Sequence, residues 1–299
     1  MKISVIIPTF NRCLFLKKIG QCIQQQLLPP NISLEVIIVV DGSTDGTIEM
    51  LQNEFPNYHI ILGNGNWWWT KCMNEGFKKA STLSVDFVLV LNDDTEIKPE
   101  YISTLWEDYQ TLPKDSILGS ASISIEPKDL IDSAGTKNLN FWLMKAIPYL
   151  PNLTPLFQEF KGVHPTWTMN GRGSLFPINI FEKIGMYDEK LLQYGSDDEF
   201  AIRARKFGLP VYISWNARVY NHLMMTSEGT AFRKDSFWKF VKSFFNPYSV
   251  NSIKKSSYIY WKHGIKVLIP IFIIFVFLGT TKAYFFKYRR MKSNKTIIP

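Results

Sequence analysis

The stretch LEVIIVVDGSTDGT, residues 34–47, decides the fold. Five successive β-branched residues at 36–40 show no polar alternation, so they read as a strand buried on both faces. Asp41-Gly42-Ser43-Thr44-Asp45-Gly46 follows as a turn, and a short helix runs to about residue 54. Toward the N-terminus the pattern repeats. Residues 3–7 form a second apolar run stopped by Pro8, and apolar residues at helical spacing over 14–27 end at Pro29-Pro30. Toward the C-terminus come a strand at 59–62, a helix at 70–80 and the run FVLVL at 87–91. That run ends in Asn92-Asp93-Asp94, and a helix over 99–111 follows with Pro99 in its first turn.

Strand and helix alternate four times with short connections, which predicts an α/β fold: a mostly parallel sheet flanked by helices on both faces. Ligands on such sheets bind beyond the carboxyl ends of the strands. The residues there are Thr9 and Asn11, Asp41, Asn64 and Asn66, and Asn92 to Asp94. From residue 117 to 176 the pattern loosens into strands, Pro-rich turns and aromatics. Helices follow at 178–184 and 196–207, a strand at 211–213, and a strand end or loop at 219–222.

The cluster Asn92-Asp93-Asp94 sets carboxylates side by side, which repel unless a cation or a donor stands between them. Hard oxygen ligands after a buried strand suit Mg²⁺ or Mn²⁺, with the remaining ligands taken from water and a diphosphate. Asp and Asn are also ordinary turn and cap residues, so Asp41 alone is ambiguous. No Walker-type phosphate loop and no GxGxxG stands in the chain, which removes the main support for kinase-like and Rossmann-dehydrogenase readings. A metal bridging a diphosphate without a glycine cradle points to a nucleotide-sugar donor.

Four segments in order, VIIPTFNR (5–12), VVDGSTDGT (39–47), LNDDTEI (91–97) and GSDDEFAIRARKFG (195–208), resemble the family 2 glycosyltransferases of GT-A fold, as in bacterial rhamnosyltransferase-like surface-polysaccharide enzymes. The resemblance covers roughly residues 1–225. It implies a nucleotide-diphospho-sugar transferase fold and an inverting transfer. By the same resemblance, Asp41 accepts a hydrogen bond from the pyrimidine base, Thr9 helps frame the nucleoside, and Asn92-Asp93-Asp94 stands for the DxD motif with Asp94 as the metal ligand. Asn92 departs from the pattern; it keeps an acceptor oxygen, drops a charge and is expected to bind the nucleotide sugar. Asn66 and Asn74-Glu75-Gly76 match a further segment, in which Trp68 replaces a glycine. Asp197 matches the general base of G-E-D-x-D, with Ser196 in place of the glutamate. His222 stands where the family often has a histidine near the metal or diphosphate.

Each assignment has a plainer counterpart. Ser196-x-x-Glu199 is itself a capping box, which accounts for two of the acidic-turn residues but not for Asp197. A lone His222 is commonly a satisfied structural residue. Trp67-Trp68-Trp69 cannot all be buried by one helix or strand face, so a ring at the cleft mouth is expected as a stacking wall for a sugar or nucleoside. Arg172, in Asn170-Gly171-Arg172-Gly173, is either part of a structural turn or a fixed cation for a diphosphate.

Of 299 residues, 46% are hydrophobic, enough for a packed core, and the formal charge is +8. That charge is uneven. Residues 233–299 hold 14 Lys/Arg and a single acid, so the body is net acidic and the tail strongly basic. Three scattered cysteines without a CxxC pair fit a reducing compartment, and the opening residues read as a strand rather than a signal peptide. The tail carries the apolar run VLIPIFIIFVFLGTT (267–281) between Lys266 and Lys282. Fifteen residues span about 22 Å as a helix, short of a bilayer core of about 30 Å, and Pro270 lies one turn in. With both flanks basic, an in-plane or re-entrant helix over about 265–286 is expected in preference to a full span.

The expectation is therefore a catalytic domain over 1–232 and a membrane-associating tail over 233–299. The chain would be a metal-dependent inverting glycosyltransferase at the cytoplasmic face of the membrane. It would move a sugar from a UDP or dTDP donor to a saccharide or lipid-linked saccharide acceptor. The partners are that donor, that acceptor and an anionic membrane surface, with no nucleic acid, because the tail's charges bracket an apolar run. A catalytically silent membrane-bound glycan-binding or partner protein on the same fold and a sugar nucleotidyltransferase stay open beside it.

Overall fold

The computed structural model of the protein describes residues 1–222 and 237–294. The expected domain boundary at 232/233 lies outside the described residues. In chain order the elements begin β1 (Lys2–Thr9), α1 (Cys13–Gln24), β2 (Ser33–Asp41), α2 (Thr47–Glu54), β3 (His59–Gly63), α3 (Trp68–Ser81), β4 (Phe87–Val90), β5 (Thr95–Ile97) and α4 (Tyr101–Gln110). The middle of the chain supplies β6 (Ile117–Ser124), β7 (Leu130–Ser133), β8 (Thr136–Asn140), β9 (Lys145–Pro148), β10 (Thr154–Pro155), β11 (Val163–Pro165) and β12 (Ser174–Pro177). Then come α5 (Ile180–Ile184), α6 (Ser196–Lys206), β13 (Val211–Asn221), α7 (Phe237–Ser243), α8 (Ile253–His263) and α9 (Ile269–Asn294).

The main sheet runs β10-β7-β6-β12-β4-β1-β2-β3, with β13 paired to β6, β5 and β11. Strands β3, β2, β1 and β4 are parallel, as the alternating pattern predicts, and β12 joins β4 antiparallel. The parallel strands are buried on both faces. Ile3, Val5 and Ile7 pack with α1, α2 and α4, whereas Ile6 meets Met73 and Phe77 of α3 on the opposite side. The same alternation places Val36, Ile38 and Val40 on one face and Ile37 and Val39 on the other. Each such side chain contributes roughly 1.5–3 kcal/mol by leaving water.

Three details depart from the sequence reading. Residues 211–221 form one continuous strand, β13, not a short strand and a loop. Helix α3 begins at Trp68, so two of the three tryptophans lie in its first turn. The apolar tail run is part of a longer helix. The stretch Lys266–Phe285 has 20 residues, mean hydropathy 2.0 and only 6% burial, long and apolar enough by length and composition to cross a membrane. Pro270 lies in the first turn of α9, where its missing N–H breaks nothing, so it does not shorten the helix. Val267, Ile271, Ile274, Phe275 and Leu278 are all exposed, which argues against a buried helix packed wholly on the body.

Candidate functional site

The carboxyl ends of β1, β2 and β4 open on one cleft of about 860 Å³. Thr9, Asp41, Trp68, Asn92, Asp93, Asp94, Arg172 and Asp197 all line it. Of the residues expected there from sequence, Asn11, Asn64, Asn66 and His222 are not brought to its walls. Asn66 is an exposed loop residue whose backbone N–H donates to Asn64 Oδ1 at 3.0 Å. The His222 ring lies 3.0 Å from Glu96 Oε1 and edge-on to Phe15. Strand alternation explains this. The neighbouring Asn221 turns inward to Ser122 and Asp132, so His222 takes the other side of the chain.

Asp41, 6% exposed, ends β2. Its Oδ1 accepts from the Gly65 N–H at 2.8 Å, and its Oδ2 accepts from the Trp67 and Trp68 N–H groups at 2.9 and 3.0 Å. The two tryptophan donors lie at the start of α3, where helix N–H groups lack intrahelical partners and a negative charge is favoured. Asp41 thus caps α3 from a strand end and retains acceptor capacity for about one further donor. Gly42 has φ 75°, and a Cβ there would sit 2.8 Å from Gly65 Cα, so only glycine fits where the two loops meet.

The tryptophans separate into three roles. Trp67 is half-buried against the core, with Lys71 Nζ 5.3 Å from its ring centre. Trp68 adopts φ 60°, keeps 37% exposure and stacks on Tyr248 at 3.9 Å. Trp69 lies flat against Tyr187 and donates its indole N–H to Asn92 Oδ1 at 2.9 Å. Gly171 faces the Trp69 ring so closely that a Cβ would lie 2.2 Å from Cζ2. Asn92 is therefore positioned by an aromatic wedge.

Asp93 and Asp94 are each 5% exposed. One Arg12 nitrogen bridges them, at 3.0 Å from Asp93 Oδ1 and 2.9 Å from Asp94 Oδ2. Burial pushes the Asp93 carboxyl up to about 6; Arg12 pulls it down, while the adjacent Asp94 charge adds to the rise. Arg12 closes the VIIPTFNR segment, and that position was the signal by which its role could have been read. Asp94 Oδ1 is buried without a protein partner, as are Asn170 Nδ2 and Arg172 Nη1, and all three residues line the cleft. Asp94 Oδ1 alone of the three fits a divalent cation, as a hard, unsatisfied carboxylate oxygen, whereas Asn170 Nδ2 and Arg172 Nη1 are donors suited to an anionic group. Among the described residues no three His, Cys, Asp or Glu side chains form a closed metal cage, so other ligands would have to come from substrate and water.

Asp197 stands in the first turn of α6. Its Oδ2 accepts from the Gly171 N–H at 2.8 Å and its Oδ1 from the Asp198 N–H at 2.9 Å. Burial raises its carboxyl above the ordinary range, against the lowering effect of those N–H groups and of Arg172. The capping box does not form. Gly195 is the N-cap, Ser196 shares a hydrogen bond with Thr70 at 2.8 Å, and Glu199 turns to other partners. Those partners include the tail. Glu199 is fully buried beside Arg203, with Lys262 Nζ at 2.8 Å and His263 Nε2 at 3.0 Å. Lys262 also meets Asp188 at 2.7 Å, and Tyr258 donates to the same carboxylate at 2.7 Å. Part of the tail's basic charge thus pairs with the body rather than facing outward, and Val250, Lys255, Ser256 and Ile259 become a wall of the cleft.

Residues 4–170 match the profile "Glycosyl transferase family 2". The chain is 36% identical over 116 residues to a GalNAc(5)-diNAcBac-PP-undecaprenol beta-1,3-glucosyltransferase of Campylobacter jejuni, a match spanning 36% of this chain and 34% of that protein. It is 28% identical over 208 residues to the uncharacterized glycosyltransferase YwdF of Bacillus subtilis, 69% of each chain. Among solved structures, GalNAc-T7 with UDP, GalNAc and Mn²⁺ superposes with TM-score 0.61 at 14% identity, covering 90% of this chain and 56% of that one. S. aureus TarS 1–349 in complex with UDP superposes with TM-score 0.55 at 14% identity, covering 98% and 92%. These neighbours share the GT-A fold, with its large, mostly parallel sheet. With the family profile matched over more than half of its length, the chain belongs to glycosyl transferase family 2.

Proposed function

We propose that the protein is an inverting glycosyltransferase that moves a sugar from a UDP or dTDP donor to a hydroxyl of a lipid-linked or surface saccharide, at the cytoplasmic face of a membrane. The observation that carries this reading is the cleft in which Asp94 Oδ1, Asn170 Nδ2 and Arg172 Nη1 are buried without protein partners, close to a half-buried carboxylate, Asp197, held by two backbone N–H groups. A buried polar atom left unpaired costs about 1–3 kcal/mol, so such a group at one place is a standing demand for a ligand.

Thr9, Asp41 and Trp68 frame the nucleoside, with the remaining acceptor capacity of Asp41 taken by the base. Asn92, oriented by Trp69, and Asp93 meet the sugar and ribose. Asp94 would hold Mg²⁺ or Mn²⁺, which when bound would offset the charge that grows on the departing diphosphate. Arg172 donates to the same diphosphate as a fixed cation. Asp197, its pKa raised by burial, takes the proton of the acceptor hydroxyl as that oxygen attacks the anomeric carbon from the face opposite the leaving group, which inverts the configuration. A role for His222 as metal ligand would need its ring to leave Glu96, and Asn66 would need the loop to close. Helix α9 attaches the enzyme to the membrane.

Donor binding tests the reading. Calorimetric titration with UDP and dTDP in Mn²⁺ should give saturable binding to the wild type that is lost in Asp94→Ala. Binding of neither nucleotide, with or without metal, would overturn it.

A further inference from the structure

The cleft has two unlike halves. Its donor half is polar, as described. Its other half lies between the β8–β9 hairpin, which stands outside the main sheet, and the segment carrying α8 and the start of α9. Leu139, Met144 and Ala146 line it from the hairpin side, and Val250, Ile259 and Phe272 from the other. The two walls are tied together: Tyr260 donates its hydroxyl to Trp142 O at 2.7 Å and stacks on Phe272 at 4.2 Å. Tyr260 is fully buried in that contact, whereas Trp142, at the hairpin tip, is 65% exposed. Phe272 belongs to α9, so the apolar half of the cleft runs directly into the exposed apolar helix.

A soluble saccharide acceptor gives no reason for such a wall, because hydroxyl-rich rings gain little from Leu, Met, Ile and Phe side chains. A long hydrocarbon chain does gain from them, methylene by methylene, as it leaves water. An exposed Trp beside the start of an apolar helix suits the level of lipid headgroups. Lys255, on the same wall with its Nζ donating to Val250 O at 2.5 Å, adds positive charge where a phosphate-linked carrier would pass.

We infer that the cleft between the β8–β9 hairpin and the α8–α9 segment is the acceptor subsite for a saccharide carried on a long-chain lipid phosphate, whose hydrocarbon leaves the site along α9. This rests on the transferase reading and deepens it. The docked α8 then has a functional meaning: through Glu199 it locks the acceptor wall to the helix that bears Asp197.

The test uses the full chain in detergent micelles with a photoreactive hexadecyl phosphate as probe, and its butyl counterpart as competitor. Crosslinks should map to residues 139–150 and 250–272, and should be displaced by unlabelled hexadecyl phosphate but not by butyl phosphate. Ile259→Asp, or Met144→Asp if the first variant fails to fold, should cut the labelling about tenfold, since a carboxylate in the groove costs at least one order of magnitude in affinity. Labelling confined to residues 273–285, or labelling unchanged in a folded variant, would overturn the inference. Donor hydrolysis by the wild type, read as released nucleoside diphosphate, reports separately on the transferase reading.

Discussion

Replacing Glu199 by Gln should destabilise the protein by about 3 kcal/mol at pH 7 and loosen the tail from the body. Burial alone would raise the Glu199 carboxyl, but His263, Arg203 and Lys262 together hold it down from 4.5 to about 2. At 1.36 kcal/mol per pKa unit, that difference amounts to about 3 kcal/mol of stability. Because the folded carboxyl has the lower pKa, the contribution is full above pH 4.5, shrinks as the pH falls and is lost below about 2. The gap between wild type and Glu199→Gln should therefore roughly halve by pH 3. Urea unfolding in micelles, followed by tryptophan fluorescence at the two pH values, gives both numbers. Limited proteolysis supplies the structural readout: chain around residues 246–264 should become cleavable in the variant. A difference under about 1 kcal/mol at pH 7, or one that does not narrow on acidification, would refute the account of α8 as docked through a buried ion cluster.

Other consequences follow from the same geometry. Gly171→Ala should cost about 1–3 kcal/mol and lower the melting temperature, because its Cβ would lie 2.2 Å from a Trp69 ring held against Tyr187; an unchanged melting temperature would show that the wedge is soft. The kcat/KM of transfer should rise with pH through a pKa above the ordinary 3.8 of aspartate, since burial raises Asp197 and a base acts only when ionised; a pH-independent rate would remove Asp197 from that role. Deletion of residues 266–299 should release the protein from membranes in flotation assays while α8 stays docked through Lys262 and His263; membrane retention would place the anchor elsewhere.

The parallel half of the fold was legible because β1, β2 and β4 are buried on both faces, which leaves unbroken apolar runs ended by polar residues. The cleft was legible for the same reason: chemistry sits at strand ends, and strand ends are where those runs stop. What escaped the sequence depends on contacts between distant residues. Nothing local tells that Trp69 orients Asn92 or that Glu199 meets His263 across 64 residues. Charge counting cannot show which of the tail's lysines turn inward, as Lys262 does toward Asp188 and Glu199. His222 shows a related limit. Its distance along the chain suggested the metal, but strand alternation at Asn221 sends its ring to Glu96.

The most direct test of the central claim is turnover by wild type and Asp197→Asn with a panel of UDP- and dTDP-sugars, Mn²⁺ and lipid-linked saccharide acceptors. The account predicts that the wild type releases nucleoside diphosphate and forms a product of inverted anomeric configuration, and that Asp197→Asn binds the donor with unchanged affinity but shows no transfer. A product of retained configuration, or an Asp197→Asn variant as active as the wild type, would contradict it.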